Sequence, residues 1–158
     1  MLAQIRTSRR AFSLIELVIV VVILGIIGAV AIPRMSRGAE GASESALVSN
    51  LATLRGAIEL FAAEHGGTFP AAATFDDELL LYSNASSGTN ATKTGAYIYG
   101  PYLRAIPALP VGTKQGNTGV AAADAAGVGW IYDETTGTIS ANCADSEVNG
   151  SGRQWNEF

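Results

Sequence analysis

One carboxylate interrupts the longest apolar run of this chain. Glu16 sits in Ala11-Phe12-Ser13-Leu14-Ile15-Glu16-Leu17, and no further charge follows from Val18 through Pro33. An ionised side chain near the middle of a bilayer costs about 2.5–3.5 kcal/mol on insertion scales, so an acid at that depth marks pairing or transport. The partner it needs is a positive charge at the same depth. Arg6, Arg9 and Arg10 lie just upstream and would hold the extreme N-terminus in the cytoplasm. Cleavage just before Phe12 would remove them and leave a new α-amine four residues from Glu16, about one helical turn away in the same chain. In an assembly, the amine of one copy could pair with Glu16 of its neighbour.

Other groups able to do chemistry are sparse. His65 is the single histidine and falls at a helix end, where a basic residue suits the dipole without being a ligand or base. Cys143 is the single cysteine, which excludes an internal disulfide and a metal–thiolate cluster. No Ser-His-Asp set, Walker loop or H-E-x-x-H is present, so the expectation is a protein that is not an enzyme. The chain holds 10 basic against 14 acidic residues, and loss of Arg6, Arg9 and Arg10 would leave it more acidic still. No basic patch with interleaved aromatics offers nucleic acid a surface, so nucleic acid is not an expected partner.

The basic leader, the small residue before Phe-Ser-Leu-Ile-Glu-Leu and the apolar stretch up to Pro33 together resemble the type IV prepilins, a family that includes the pseudopilins of type II secretion. The resemblance implies cleavage between Ala11 and Phe12 by an inner-membrane aspartyl peptidase that also N-methylates Phe12. It implies a helical homopolymer with the apolar helices as its core, in which Phe12, Glu16 and Pro33 are the assembly residues. The implied partners are copies of the same chain, minor pseudopilins or pilins, the prepilin peptidase, an inner-membrane assembly platform, and membrane lipid before assembly. The implied location is a single pass through the bacterial inner membrane with the head in the periplasm and the filament extending into the periplasm or to the cell surface. The family usually has Gly before the cut where this chain has Ala11. Ala is still small, so processing is expected, with its rate the open quantity.

Two alternatives apply to the same stretch. A secretory signal peptide fits poorly, because the run exceeds an h-region and lacks an A-x-A pattern at its far end. A plain signal anchor fits the length but has no use for Glu16.

These residues need elements to position them. Leu47, Leu51, Leu54, Ile58 and Phe61 recur at spacings of four and three, predicting an amphipathic helix that ends at His65-Gly66-Gly67, before Pro70. A short helix is predicted over Phe75–Tyr82, with acids in its first turn, and an exposed loop over Ser83–Gly95. The acceptor patterns at Asn84, Asn90 and Asn149 read as chance matches in a chain this rich in Asn and Ser. Gly129–Asp133 and Thr138–Asn142 flank a Gly-containing turn and predict a hairpin with Trp130 and Tyr132 on one face. Trp155 and Phe158 either fold back over the sheet or serve as subunit contacts. The fold class is therefore α+β and pilin-like: a long N-terminal helix packed on a small antiparallel sheet. The divisions are a leader (1–11), a hydrophobic transmembrane and assembly helix (12–33) and a head (34–158).

Three prolines between Gly100 and Gly112 forbid a helix interior or a central strand there, leaving an ordered crossing held by Tyr102, Leu103, Ile106 and Leu109. This segment resembles the Gly-x-Tyr-Leu … Leu-Pro … Pro-x-Gly loop of major pseudopilins, with Val111 in place of the usual aromatic. It favours a type II secretion pseudopilus subunit. A type IV pilus subunit for adhesion, motility or competence and a monomeric membrane-anchored binding domain are the alternatives. Major pseudopilins hold Ca²⁺ near the C-terminus, and the candidate ligands here are Asp124, Asp133 and Asp145, beside Glu134 and Glu147. They lack EF-hand spacing, and the family's dense acidic Gly-rich loop is not visible. The expectation is a solvated acidic edge without a cofactor.

Overall fold

The computed structural model describes residues 12–158, without the side chains of residues 30–37. The leader, with Arg6, Arg9, Arg10 and Ala11, and the side chain of Pro33 lie outside the described residues. The chain divides into two compact units, Met1–Ala39 and Glu40–Phe158. Helix α1 (Leu14–Glu64) supplies the described part of the first and opens the second.

In the second unit α1 buries the stripe expected of it. Leu47, Leu51, Leu54, Ile58 and Phe61 are each no more than 1% exposed, while Val48 and Leu60 on the other face remain about half exposed. The helix stops where the glycines allow a left-handed turn. Gly66 and Gly67 have φ of +68° and +89°, and the Gly67 N–H donates to the Ala62 carbonyl at 2.8 Å, closing the last turn.

A 3₁₀ turn (Ala72–Thr74) then leads into α2 (Phe75–Leu80). This is shorter than the predicted Phe75–Tyr82, because Leu81 is already extended and Tyr82 enters a strand. Of the acids in the first turn, Glu78 is buried: its carboxylate accepts the Ala71 N–H at 3.1 Å and the Thr74 hydroxyl at 2.6 Å.

The segment Ser83–Gly95, predicted as a loop, contains part of an antiparallel ribbon. Strand β1 (Tyr82–Ser83) pairs with β2 (Thr89–Asn90), and Ser83, fully buried, also bridges to Tyr99. Strands of two residues leave no periodicity to read, and tertiary contacts at Ser83 hold them.

The main sheet has the order β3-β4-β5. Strands β4 (Val128–Asp133) and β5 (Thr138–Ala141) form the predicted antiparallel hairpin, pairing Trp130 with Ala141 and Tyr132 with Ile139. All four are buried, whereas Ile131 on the other face is only half-buried. Strand β3 (Gly119–Ala121) was not predicted, and it lies parallel to β4. Parallel neighbours usually need a long crossover. Here the return path covers only about 10 Å of strand, which a short loop spans.

Trp130, Tyr132 and Ile139 share one core with the α1 stripe, Phe75, Leu79, Ile106, Leu109 and Val111. The proline-rich crossing is thus ordered, as predicted. Its backbone finds partners elsewhere: the Trp130 Nε1–H donates to the Pro107 carbonyl at 2.8 Å and Asn50 to that of Ala108 at 3.1 Å. At the tail, Trp155 folds back into this core and Phe158 packs partly against it, so the first of the two expectations holds. The α+β class is the observed one, with a small antiparallel hairpin against a long helix.

Candidate functional site

In the first unit the described apolar side chains at the start of α1 are exposed. Phe12 and Leu14 are 81% and 80% exposed, and the apolar residues from Val18 to Ile27 lie between 44% and 63%. No soluble domain leaves so continuous an apolar surface in water, so lipid or other apolar helices must cover it. Leu14–Ala29 alone reaches about 24 Å at 1.5 Å per residue, against a hydrocarbon core of about 30 Å. Among the described residues, Gly38–Glu64 is the stretch long and apolar enough to count as a span, but its apolar stripe is the one buried against the sheet, and it is a core helix.

At the start of α1 the Glu16 carboxylate does something the apolar pattern did not reveal. Its Oε2 accepts the backbone N–H of Ser13 at 2.9 Å. Ser13 precedes the first helical residue, so Ser13-Leu14-Ile15-Glu16 makes the glutamate half of a capping box. The Ser-x-x-Glu spacing was legible in the sequence and is the signal that would have found it. The cap satisfies one orphan donor with a carboxylate at the positive end of the dipole. Among the described residues, the carboxylate makes no ion pair.

The other candidate groups resolve into structural roles. His65 is buried at the end of α1: Nδ1 lies 2.8 Å from the Phe61 carbonyl, Nε2 lies 2.9 Å from the Asn84 carbonyl, and the ring stacks on Phe61 at 3.9 Å. It joins the helix terminus to the β1 segment. Cys143 is buried, and desolvation, with Glu147 nearby, pushes its thiol up to about 11, so no reactive thiolate forms near neutrality.

The acids proposed for calcium are not brought together. Asp133 accepts the Thr135 N–H at 2.8 Å and the Thr136 hydroxyl at 2.9 Å inside the hairpin turn, bonds that hold its carboxyl below the usual range. Asp145 accepts from Asn156, and Asp124 pairs with Lys114 at 2.8 Å. Glu147 spends both oxygens on backbone, the N–H groups of Thr113 at 2.6 Å and Ala144 at 2.8 Å, which lower its pKa. Among the described residues, no three His, Cys, Asp or Glu side chains gather as metal ligands do.

Surface concavities among the described residues of the head include two of note. One, of about 200 Å³, lies beside α2, and the other, of about 410 Å³, is lined by Arg55, Glu59, Phe69 and the hairpin turn. The first is lined by Thr74, Asp76 and Asp77 among others, and neither is lined by Ser, Cys or His.

Residues 6–32 match the family model of the prokaryotic N-terminal methylation motif. No curated protein and no solved structure matches the chain. The matched motif spans the leader arginines, Ala11, Phe12, Glu16 and nearly all of the exposed apolar helix, and it marks a substrate of a prepilin peptidase. The motif and the apolar helix fit a membrane-anchored pilin. Together with a long helix packed on a small sheet, they support a likeness to the type IV prepilin-like proteins, the family that includes the pseudopilins, carried by the N-terminal motif.

Proposed function

We propose that this chain is a polymerising structural subunit of a type II secretion pseudopilus, cut between Ala11 and Phe12, N-methylated on Phe12 and assembled from the inner membrane with its head in the periplasm. The observation that carries the reading is the uncovered apolar helix with one carboxylate at its start. Bilayer covers that surface before assembly, and copies of the same helix cover it afterwards. Glu16 then gains what its cap does not supply, the amine of a processed neighbour, and a docked subunit with that pair made is favoured over one sliding in lipid. Prepilin peptidase, minor subunits and an inner-membrane platform are the partners this role requires. The pseudopilus branch rests on the Gly100–Gly112 segment, whose Ile106, Leu109 and Val111 anchor it in the core.

Intact-mass measurement of the membrane-extracted protein tests the processing step. The expected product begins at Phe12 and carries one added methyl group. Retention of Met1 in a peptidase-competent cell would overturn it. Gene deletion tests the branch: loss of a pseudopilus subunit traps an exported protein in the periplasm, whereas normal secretion with loss of surface fibres, twitching or adhesion would assign the subunit to a type IV pilus.

A further inference from the structure

The resemblance to major pseudopilins implies a calcium ion near the C-terminus, and the donors around Asp124 do not fit one. Lys114 Nζ lies 2.8 Å from Asp124 Oδ1 and donates to Asn142 Oδ1, also at 2.8 Å. The triangle closes through Asn142 Nδ2, which donates to Asp124 Oδ1 at 2.8 Å and to the Val128 carbonyl at 2.8 Å. Oδ1 of Asp124 and Oδ1 of Asn142, two oxygens that a metal ion at this corner would need, thus already face an ammonium. Asp133, Asp145 and Glu147 are held elsewhere by their own bonds.

We infer that the Lys114 ammonium is the structural cation of this corner, supplied by the chain, and that the head is held together here without a divalent ion. Its three anchor points lie in segments far apart in sequence. Lys114 stands in the loop after the proline-rich crossing, Asp124 in the connection between β3 and β4, and Asn142 just past β5. Asn142 is buried at 5% exposure, so removing the ammonium leaves its Oδ1 without a donor in a place that water does not easily reach. Asp124 is exposed, and its carboxyl is held below the usual range first by Lys114 and then by Asn142. Lys114 therefore matters more through the buried amide it satisfies than through the exposed charge it neutralises.

Thermal melting of the full-length chain in detergent, followed by near-ultraviolet circular dichroism, tests this. The wild-type Tm should agree within about 1 °C between excess EGTA and millimolar CaCl₂, because an ion that does not bind the native state cannot stabilise it by mass action. Lys114→Met should lower Tm by about 3–6 °C in both buffers. Asp124→Asn should add little to the loss once Lys114 is gone, because the two act as a unit. A calcium-dependent rise of the wild-type Tm, a Lys114→Met variant that melts like wild type, or fully additive losses would each overturn the inference. The calcium arm decides the matter on unaltered protein if the variant fails to fold.

Discussion

Glu16 has two acceptor oxygens and one charge, and the two properties can be separated. A glutamine at this position keeps an oxygen for the Ser13 N–H, held at 2.9 Å in the native chain, but carries no charge. An alanine loses both. If assembly depends on pairing with a released amine, Glu16→Gln should be inserted and processed at least as well as wild type, since insertion no longer carries an ionised group. Its yield of sheared filaments should fall to the level of Glu16→Ala. Wild-type yields from the glutamine variant would show that the cap is the whole role of the residue. The acid itself was legible in the sequence, because one charge in an apolar run stands out. Its cap was legible too, through the Ser-x-x-Glu spacing, but was hidden behind the stronger hydrophobic signal.

Among the elements, the end of α1 offers the cleanest test. A Cβ placed on Gly66 or Gly67 would meet nothing within 4 Å, so a substitution there changes only the backbone energy. With φ of +68°, Gly66→Ala should destabilise the head by about 1–2 kcal/mol. Gly66→Asn should lose less, because asparagine tolerates the left-handed region. Urea unfolding of the two variants measures both, and equal stability of alanine and wild type would mean the turn is not left-handed in solution. The stop at His65-Gly66-Gly67 was readable because glycine's freedom is a local property. The ribbon of β1 and β2 was not, since two-residue strands carry no pattern. Strand β3, only three residues long, is also too short for an alternation to show, and its parallel pairing depends on β4 lying alongside.

At the scale of the whole molecule, the second unit, Glu40–Phe158, closes its core on itself. A chain beginning near Ser36 should therefore be a soluble, folded monomer, as judged by sedimentation and a cooperative melt. Insolubility or aggregation would show that the head needs the apolar helix to fold. The same protein should lose stability in acid. The carboxyls of Asp124, Asp133 and Glu147 are all held below their ordinary values by hydrogen bonds, and for Asp124 also by Lys114. A carboxylate with a depressed folded pKa stabilises the native state above the unfolded pKa of about 4, and that contribution disappears as pH falls through the folded value. Tm should be level near neutrality and decline below about pH 5, with Asp133→Asn flattening part of the decline. A pH-independent Tm down to strong acid would contradict the turn and clasp geometry.

The sequence by itself determined the features that arise from near neighbours along the chain: the acid in an apolar run, the 3.6-residue stripe from Leu47 to Phe61, the glycine stop, and the alternation that put Trp130 and Tyr132 on one face. These are periodic or local, so composition and spacing carry them. Only the tertiary structure decided which polar groups meet. Glu78 became a buried acceptor for Ala71 and Thr74, and His65 a joint against Asn84. The acids proposed for calcium were dispersed, with Lys114 set between Asp124 and Asn142. Such partners lie up to dozens of residues apart, and nothing in the spacing of charges along the chain encodes which loops will fold to within 3 Å of one another.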